Sequence, residues 1–441
     1  MPGFHDNFST PHPNSDIPLY DGPLLLTVKG RTTEFAGKIG FHWFPSSDIR
    51  FMAERPVEAA DGHLMLASNA DGEYRVQIPG TSESVAFFPS NSTIHSGGMV
   101  HFEGSPREPL TLVNSGPMAY VEGFVVNLDE FWPPQRHDSW TWQSDEWRVT
   151  FSPVDDLSDV IKAVRRAGGY VFTHRVRFER VDGALFEVAA AEQVLHGLYR
   201  FLSFLQGRQV NVILPVGYDA AGTAVWRKWL SWNVGRWQGI NHWSDTHETA
   251  DLCEAFAGFM RLWTNPNWQD AIDAAIHWYV DSNRNASVLE AGTVFNQMAL
   301  ERLAWEFFVI NGKAMSRDGF NRLTAADRIR LMLAHHQVPL ELPPALPDAA
   351  RWSREFNWTD IADAIAAMRN IVVHPEHKLR DRLDDGPASP LKDVWHCGLW
   401  ALELLLLRLF GYTGGYQDRR KRPRYAGQPD PVPWATVPMK Q

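Results

Sequence analysis

Cysteine is nearly absent from this chain: Cys253 and Cys397 are the two in 441 residues. Two thiols cannot build a disulfide framework, and their scarcity points to a reducing cytoplasm. No secretory leader is expected either, because Met1 to Pro18 is polar and Pro-bearing rather than basic then apolar. The longest apolar run, Leu399 to Phe410, is too short to span a bilayer and carries Glu403 and Arg408, so it reads as a core helix. Positive charge is not in excess. A formal net charge of -10 excludes a broad nucleic-acid-coating surface and confines any such contact to a local basic patch. No Gly-rich phosphate loop, Gly-x-Ser-x-Gly elbow, His-Glu-x-x-His or internal repeat occurs, which removes the functions those patterns carry.

What is present is enough length for two or three domains and an unusual number of tryptophans, 19. Residues 1–18 read as a disordered lead and 19–240 as a β-rich domain. Its clearest strands are Leu24 to Val28, His63 to Leu66, Tyr74 to Ile78 and Ala119 to Val126, cut by turn residues at the spacing of a sandwich or barrel. Helices are expected at Asp155 to Arg166 and Val188 to Leu205, a strand at Tyr170 to Arg180, and a hairpin at Val210 to Val216 and Thr223 to Leu230. Near Asp245 the pattern becomes helical: Thr246 to Trp263, Trp268 to Val280, Ser287 to Ile310, Ala325 to His336, Asp360 to Val373 and Leu391 to Phe410. Loops fill 311–320, 339–352 and 376–390. The expected fold class is therefore α+β multidomain, a β-rich domain that is sandwich- or barrel-like with a few helices, followed by an all-α bundle over 245–415. A basic, Pro-rich tail, 416–441, is expected to be disordered.

One stretch carries chemistry: Arg369-Asn370-Ile371-Val372-Val373-His374-Pro375. Ile361, Ile365, Met368 and Val372 make an apolar helical face leading into it, Thr359 or Asp360 can cap the start, and Pro375 ends the helix at His374. A guanidinium and an imidazole thus meet at a helix exit. Arg330 and His335 repeat the spacing, but their expected place is a solvated helix face. His374-Pro375-Glu376-His377 hints at a metal, yet nothing supplies a third ligand at recognisable spacing, so neither metal nor cofactor is assigned.

Arg-Asn-x-x-x-His on the penultimate helix of an all-helical domain resembles the HEPN superfamily (higher eukaryotes and prokaryotes nucleotide-binding). The likeness extends to Glu290 through Ala304, with Asn296, Gln297 and Glu301, to Arg328 through Leu333 with Val338-Pro339 and Pro343-Pro344, and to Trp358-Thr359-Asp360. It covers about residues 245–415. A β-rich domain ahead of it is similar in layout to ApeA-type anti-phage abortive-infection proteins. The resemblance implies metal-independent RNA cleavage by a homodimer joined through the helical domain. Its partners would be RNA, tRNA among the candidates, and a phage-derived trigger sensed by the first half, with no membrane involved. His374 would be general base or acid, Arg369 the phosphate clamp and Asn370 an orienting amide.

Around this set, Asn296, Gln297 and Glu301 either line the cleft or make helix-packing hydrogen bonds. Lys378, Arg380 and Arg382 either hold RNA phosphates or form a solvated charge run. The tail basics face the same choice, and the tryptophans of the first half either stack bases or sugars or pack the core. Two functions stand against each other. One is a ribonuclease effector of cell defence. The other is a non-catalytic HEPN module that dimerises or binds nucleotide, with a β-type recognition domain.

Overall fold

A computed structural model describes residues 4, 12–57, 74–80, 83–95, 98–113, 116–129, 139–245, 249–284, 288–343, 346–374, 379–380, 383, 389–421, 425 and 427–435. The chain divides into two compact units that interleave along the sequence. Met1–Leu128, Trp147–Leu195 and Val210–Gln238 make the first, and Asp129–Glu146, His196–Gln209 and Gly239–Gln441 the second. The architecture is a β-rich N-terminal region followed by a helical C-terminal one.

In the first unit, β1 (Ile17–Val28), β2 (Arg31–His42), β3 (Asp48–Pro56), β4 (Tyr74–Gln77), β5 (Val85–His95) and β6 (Met99–Pro106) close into a barrel in the order β1-β2-β3-β6-β5-β4. Every pairing is antiparallel. Period-two alternation sets inside and outside: along β2, Phe35, Gly37, Ile39 and Phe41 are buried while Ala36 and Lys38 face water. Phe35, Phe41, Phe51, Phe87 and Phe102 fill the interior, each at most 1% exposed. Gly104 makes room for them. A Cβ there would lie 2.8 Å from the Phe87 ring and 2.9 Å from that of Phe51, rings that meet edge to face at 4.8 Å.

Six further strands of this unit line up antiparallel in the order β7-β13-β12-β8-β11-β10: β7 (Leu110–Val113), β8 (Tyr120–Val126), β10 (Trp147–Pro153), β11 (Phe172–Arg180), β12 (Val212–Tyr218) and β13 (Ala224–Trp229). A short strand, β9 (Trp140–Gln143), belongs to residues of the second unit. Helix α1 (Leu157–Ala167) follows β10, and α2 (Val188–Gln206) begins in the first unit and ends in the second. Phe124, Phe172, Ile213 and Trp229 of the sheet share one apolar cluster with the barrel. The expected strand at His63 to Leu66 lies outside the described residues. The end of the expected disordered lead is pinned instead: Asn14 donates to the Gly168 carbonyl (3.2 Å) and accepts from the Tyr170 N–H (2.9 Å). Partners about 150 residues away leave no local signal.

The second unit is helical: α3 (Thr249–Trp263), α4 (Gln269–Arg284), α5 (Leu289–Trp305) with a π-helical continuation (Glu306–Asn311), α6 (Arg317–Asn321), α7 (Ala325–His335), α8 (Pro347–Phe356), α9 (Ile361–Val373) and α10 (Leu391–Leu409). Helix α5 packs against α4, α7, α9 and α10. Two glycines let α5 and α10 close up: a Cβ at Gly292 would sit 2.6 Å from the Trp395 indole nitrogen, and one at Gly398 2.7 Å from the Asn296 amide nitrogen. Two segments read as loops hold helices. α6 lies within 311–320 and one residue beyond, and α8 starts with Pro at its first turn, where a missing N–H costs nothing.

The expected disordered tail departs most. Gly415–Tyr416 and Asp430–Pro431 pair as strands β14 and β15, and between them Arg419 is buried. Its guanidinium donates to both oxygens of Glu403 (2.9 and 2.5 Å) and to the Asn241 carbonyl (2.9 Å). Tyr279 Oη donates to the same carboxylate at 2.6 Å. A basic run that reads as a solvated tail therefore includes a core ion pair.

Candidate active site at the end of helix α9

Helix α9 is capped by Asp360, whose carboxylate accepts the Asp363 N–H at 2.9 Å, and Asp363 in turn accepts the Thr359 N–H at 2.9 Å. Ile361, Ile365, Met368 and Ile371 are buried, whereas Val372 is only half-buried, so the core face turns slightly from the one read in sequence. The opposite side brings the motif to the surface. Arg369 Nη1 donates to Asn370 Oδ1 at 3.2 Å, and Asn370 and His374 are both exposed. His374 leaves the helix in an extended conformation (φ -97°, ψ 106°), its N–H still on the Asn370 carbonyl at 3.0 Å. Among the described residues, Arg369 makes no ion pair.

The other pair of the same spacing is built differently. Arg330 donates to Asp327 (2.5 Å), Asp360 (2.5 and 3.2 Å) and Asp363 (2.7 Å). Its hydrogen bonds to Asp360, opposed by burial, raise its already high pKa further. At Asp363, burial pushes the carboxyl up, but hydrogen bonds from Thr359 and Arg330 win and hold it below the usual range. Arg330 is thus engaged by carboxylates although partly solvated. It ties α7 to the first turn of α9, and His335 packs on Phe307 at 4.8 Å. Arg330→Ala is expected to cost about 1–2 kcal/mol, since the clamp is partly solvated. A lowered denaturation midpoint of the helical unit is the readout.

The auxiliary residues also have partners within the fold. Asn296 is buried and donates to the Trp395 carbonyl at 3.2 Å, which joins α5 to α10. Gln297 donates to Glu301 (2.7 Å), which accepts from Arg328 (2.8 Å). All three thus make hydrogen bonds within the helical unit, the second of the two roles read for them. Arg380 donates to the Ile371 carbonyl (3.4 Å) and to that of Val372. Lys378 and Arg382, like Glu376 and His377, lie outside the described residues. Of the tail basics, Arg419 is paired with Glu403, and Arg420 pairs with Asp418 (2.8 Å) and stacks on Trp400 (3.4 Å).

Two clusters gave no sequence signal because their members converge only in three dimensions. His196 and Arg200 on α2 meet Asp273 of α4 at 3.0 and 2.6 Å. Burial raises that carboxyl, but His196 and Arg200 outweigh it and bring it to about 2. His336, after α7, is buried beside Phe307 (4.7 Å) and depressed to about 4, chiefly by burial and then by His335 and Arg408. The sign follows. Between its ordinary 6.5 and about 4, the unfolded chain binds a proton that the folded chain refuses. Stability of the helical unit should therefore be flat above pH 6.5 and fall as pH drops towards 4, by about 2 kcal/mol after allowing for partial solvation. Urea titrations at pH 7 and 5 check this, and His336→Gln should flatten the slope.

Residues 265–430 match the family model described as the YopA C-terminal domain, a span that takes in α9, α10 and the buried Arg419. Residues 114–240 match the YopA central domain. Over 435 residues the chain is 29% identical to the SPbeta prophage-derived uncharacterized protein YopA of Bacillus subtilis (strain 168), covering 96% of each chain. No solved structure matches the chain. Among the described residues no helix is long and apolar enough to cross a membrane. The chain is thus similar to the YopA central and C-terminal domains over these two spans and to YopA along nearly its whole length.

Proposed function

We propose that the chain is a metal-independent endoribonuclease of HEPN type, with Arg369, Asn370 and His374 as its catalytic set. One observation carries the reading. Of two Arg-x4-His pairs, Arg330 is consumed by three carboxylates, while Arg369 makes no ion pair among the described residues and lies one turn before an exposed His374. RNA brings its own nucleophile. The 2′-oxygen attacks phosphorus, its proton passes to an imidazole, the bond to the 5′-oxygen breaks, and that oxygen takes a proton from a second acid. A guanidinium stabilises the charge gathered on phosphorus oxygens. A single His374 supplies one of the two proton transfers, so a two-fold homodimer is part of the proposal, each copy giving one imidazole to a composite cleft.

The relative's prophage origin fits a role in conflict between phage and host, and hence the reading as an anti-phage effector triggered through the β-rich region. A non-catalytic dimerising or nucleotide-binding scaffold is the second reading, favoured by the net charge of -10 and by the engagement of Arg380 with backbone carbonyls. Incubating the purified protein with total RNA and with tRNA in EDTA, beside His374→Ala, separates the two. Cleavage lost in the variant supports the nuclease, and intact RNA with any trigger supports the scaffold.

A further inference from the structure

We infer that Arg380 is a positioning residue for this site rather than a phosphate ligand. The inference uses the ribonuclease reading for its kinetic arm only. A helix leaves its last four carbonyls without intrahelical donors. In α9 the Asn370 carbonyl accepts from the His374 N–H. The next carbonyl, of Ile371, would take the N–H of residue 375, but that residue is proline and has none. Arg380 supplies the missing donor: its Nη1 reaches the Ile371 carbonyl at 3.4 Å and also bonds that of Val372. The same His-Pro junction that turns His374 out of the helix thus leaves an orphan carbonyl, and a cation from five residues further on closes it. A positive group also suits the negative end of the helix dipole. Arg369, Asn370 and His374 occupy this last turn, so its closure fixes their mutual geometry. Together with Arg330 on Asp360 and Asp363, it holds α9 by a guanidinium at each end.

The two roles make opposite kinetic claims. A positioning role predicts that Arg380→Ala lowers kcat about 10-fold, because small misplacements of reacting groups are costly, while KM stays within about twofold. Arg380→Lys, which can still donate to carbonyls, should recover part of the loss. The salt dependence of RNA binding should be unchanged. A raised KM, with the salt slope reduced by about one, would identify Arg380 as a phosphate contact and overturn the inference.

Amide hydrogen exchange provides the arm that needs no activity. In Arg380→Ala, the His374 amide should exchange about 10-fold faster than in the wild type, as the last turn opens locally. Adding Pro375→Ala restores an in-chain N–H for Ile371 and should return part of that protection. Unchanged exchange at His374 in Arg380→Ala would overturn the clamp even if the protein cuts no RNA, and accelerated exchange would support it in that same case.

Discussion

Arg419→Ala is expected to destabilise the helical unit by about 3–5 kcal/mol, the usual cost of breaking a buried ion pair from one side. Both side chains, of Arg419 and Glu403, are 0% exposed. Truncating the arginine would strand a carboxylate in the core with only the Tyr279 hydroxyl and no counter-charge. The Tyr279 phenol already reflects that setting: burial first, and then the Glu403 charge, hold it well above its usual value. Against a typical domain stability of about 5–15 kcal/mol, such a loss is large enough to unfold much of the unit near body temperature. Arg419→Met combined with Glu403→Leu should be far milder, because a matched apolar pair removes both desolvation penalties. Urea denaturation followed by tryptophan fluorescence measures both. A single variant as stable as the wild type would show that the Arg419–Glu403 pair adds nothing to the stability of the core.

That ion pair also shows where the sequence was legible and where it was not. Glu403 gave a hint, as a carboxylate inside the apolar run Leu399 to Phe410, but its partner sits 16 residues later in a run of like charges. Nothing in Arg419 to Arg424 separates the buried member from the others. The extent of helix α9 was readable, since apolar spacing, Asp360 and Pro375 are local signals, while its core face turns to bury Ile371 in place of Val372. The hairpin of β12 and β13 was readable for the same reason. Helix α8 was hidden by the prolines before it, although Pro347 at its first turn is itself a start signal. The interleaving of the two units, with 129–146 and 196–209 assigned to the helical one, reflects burial partners rather than composition. Arg330 and Arg380 share one limit of sequence reading. Spacing shows that a guanidinium is present, and only the fold shows whether carboxylates, carbonyls or solvent receive it.

The largest effect on activity is expected from the motif itself. His374→Ala should reduce RNA cleavage by about 10²–10⁴-fold, the usual contribution of a general base or acid. Arg369→Ala should cost about 10²–10³-fold by removing a charge that stabilises the transition state. Neither change should disturb folding. His374 is exposed, Arg369 has Asn370 as its described side-chain partner, and the burial that anchors α9 comes from Ile361, Ile365, Met368 and Ile371. DNA of the same sequence should survive, for it lacks the 2′-hydroxyl.

The most direct test is an end-group analysis of RNA treated with wild-type protein and with His374→Ala, both in EDTA. Attack by the 2′-oxygen at this site gives 2′,3′-cyclic phosphate and 5′-hydroxyl ends from the wild type and none from the variant. Cleavage that persists in His374→Ala, or that leaves 5′-phosphate ends, would contradict it.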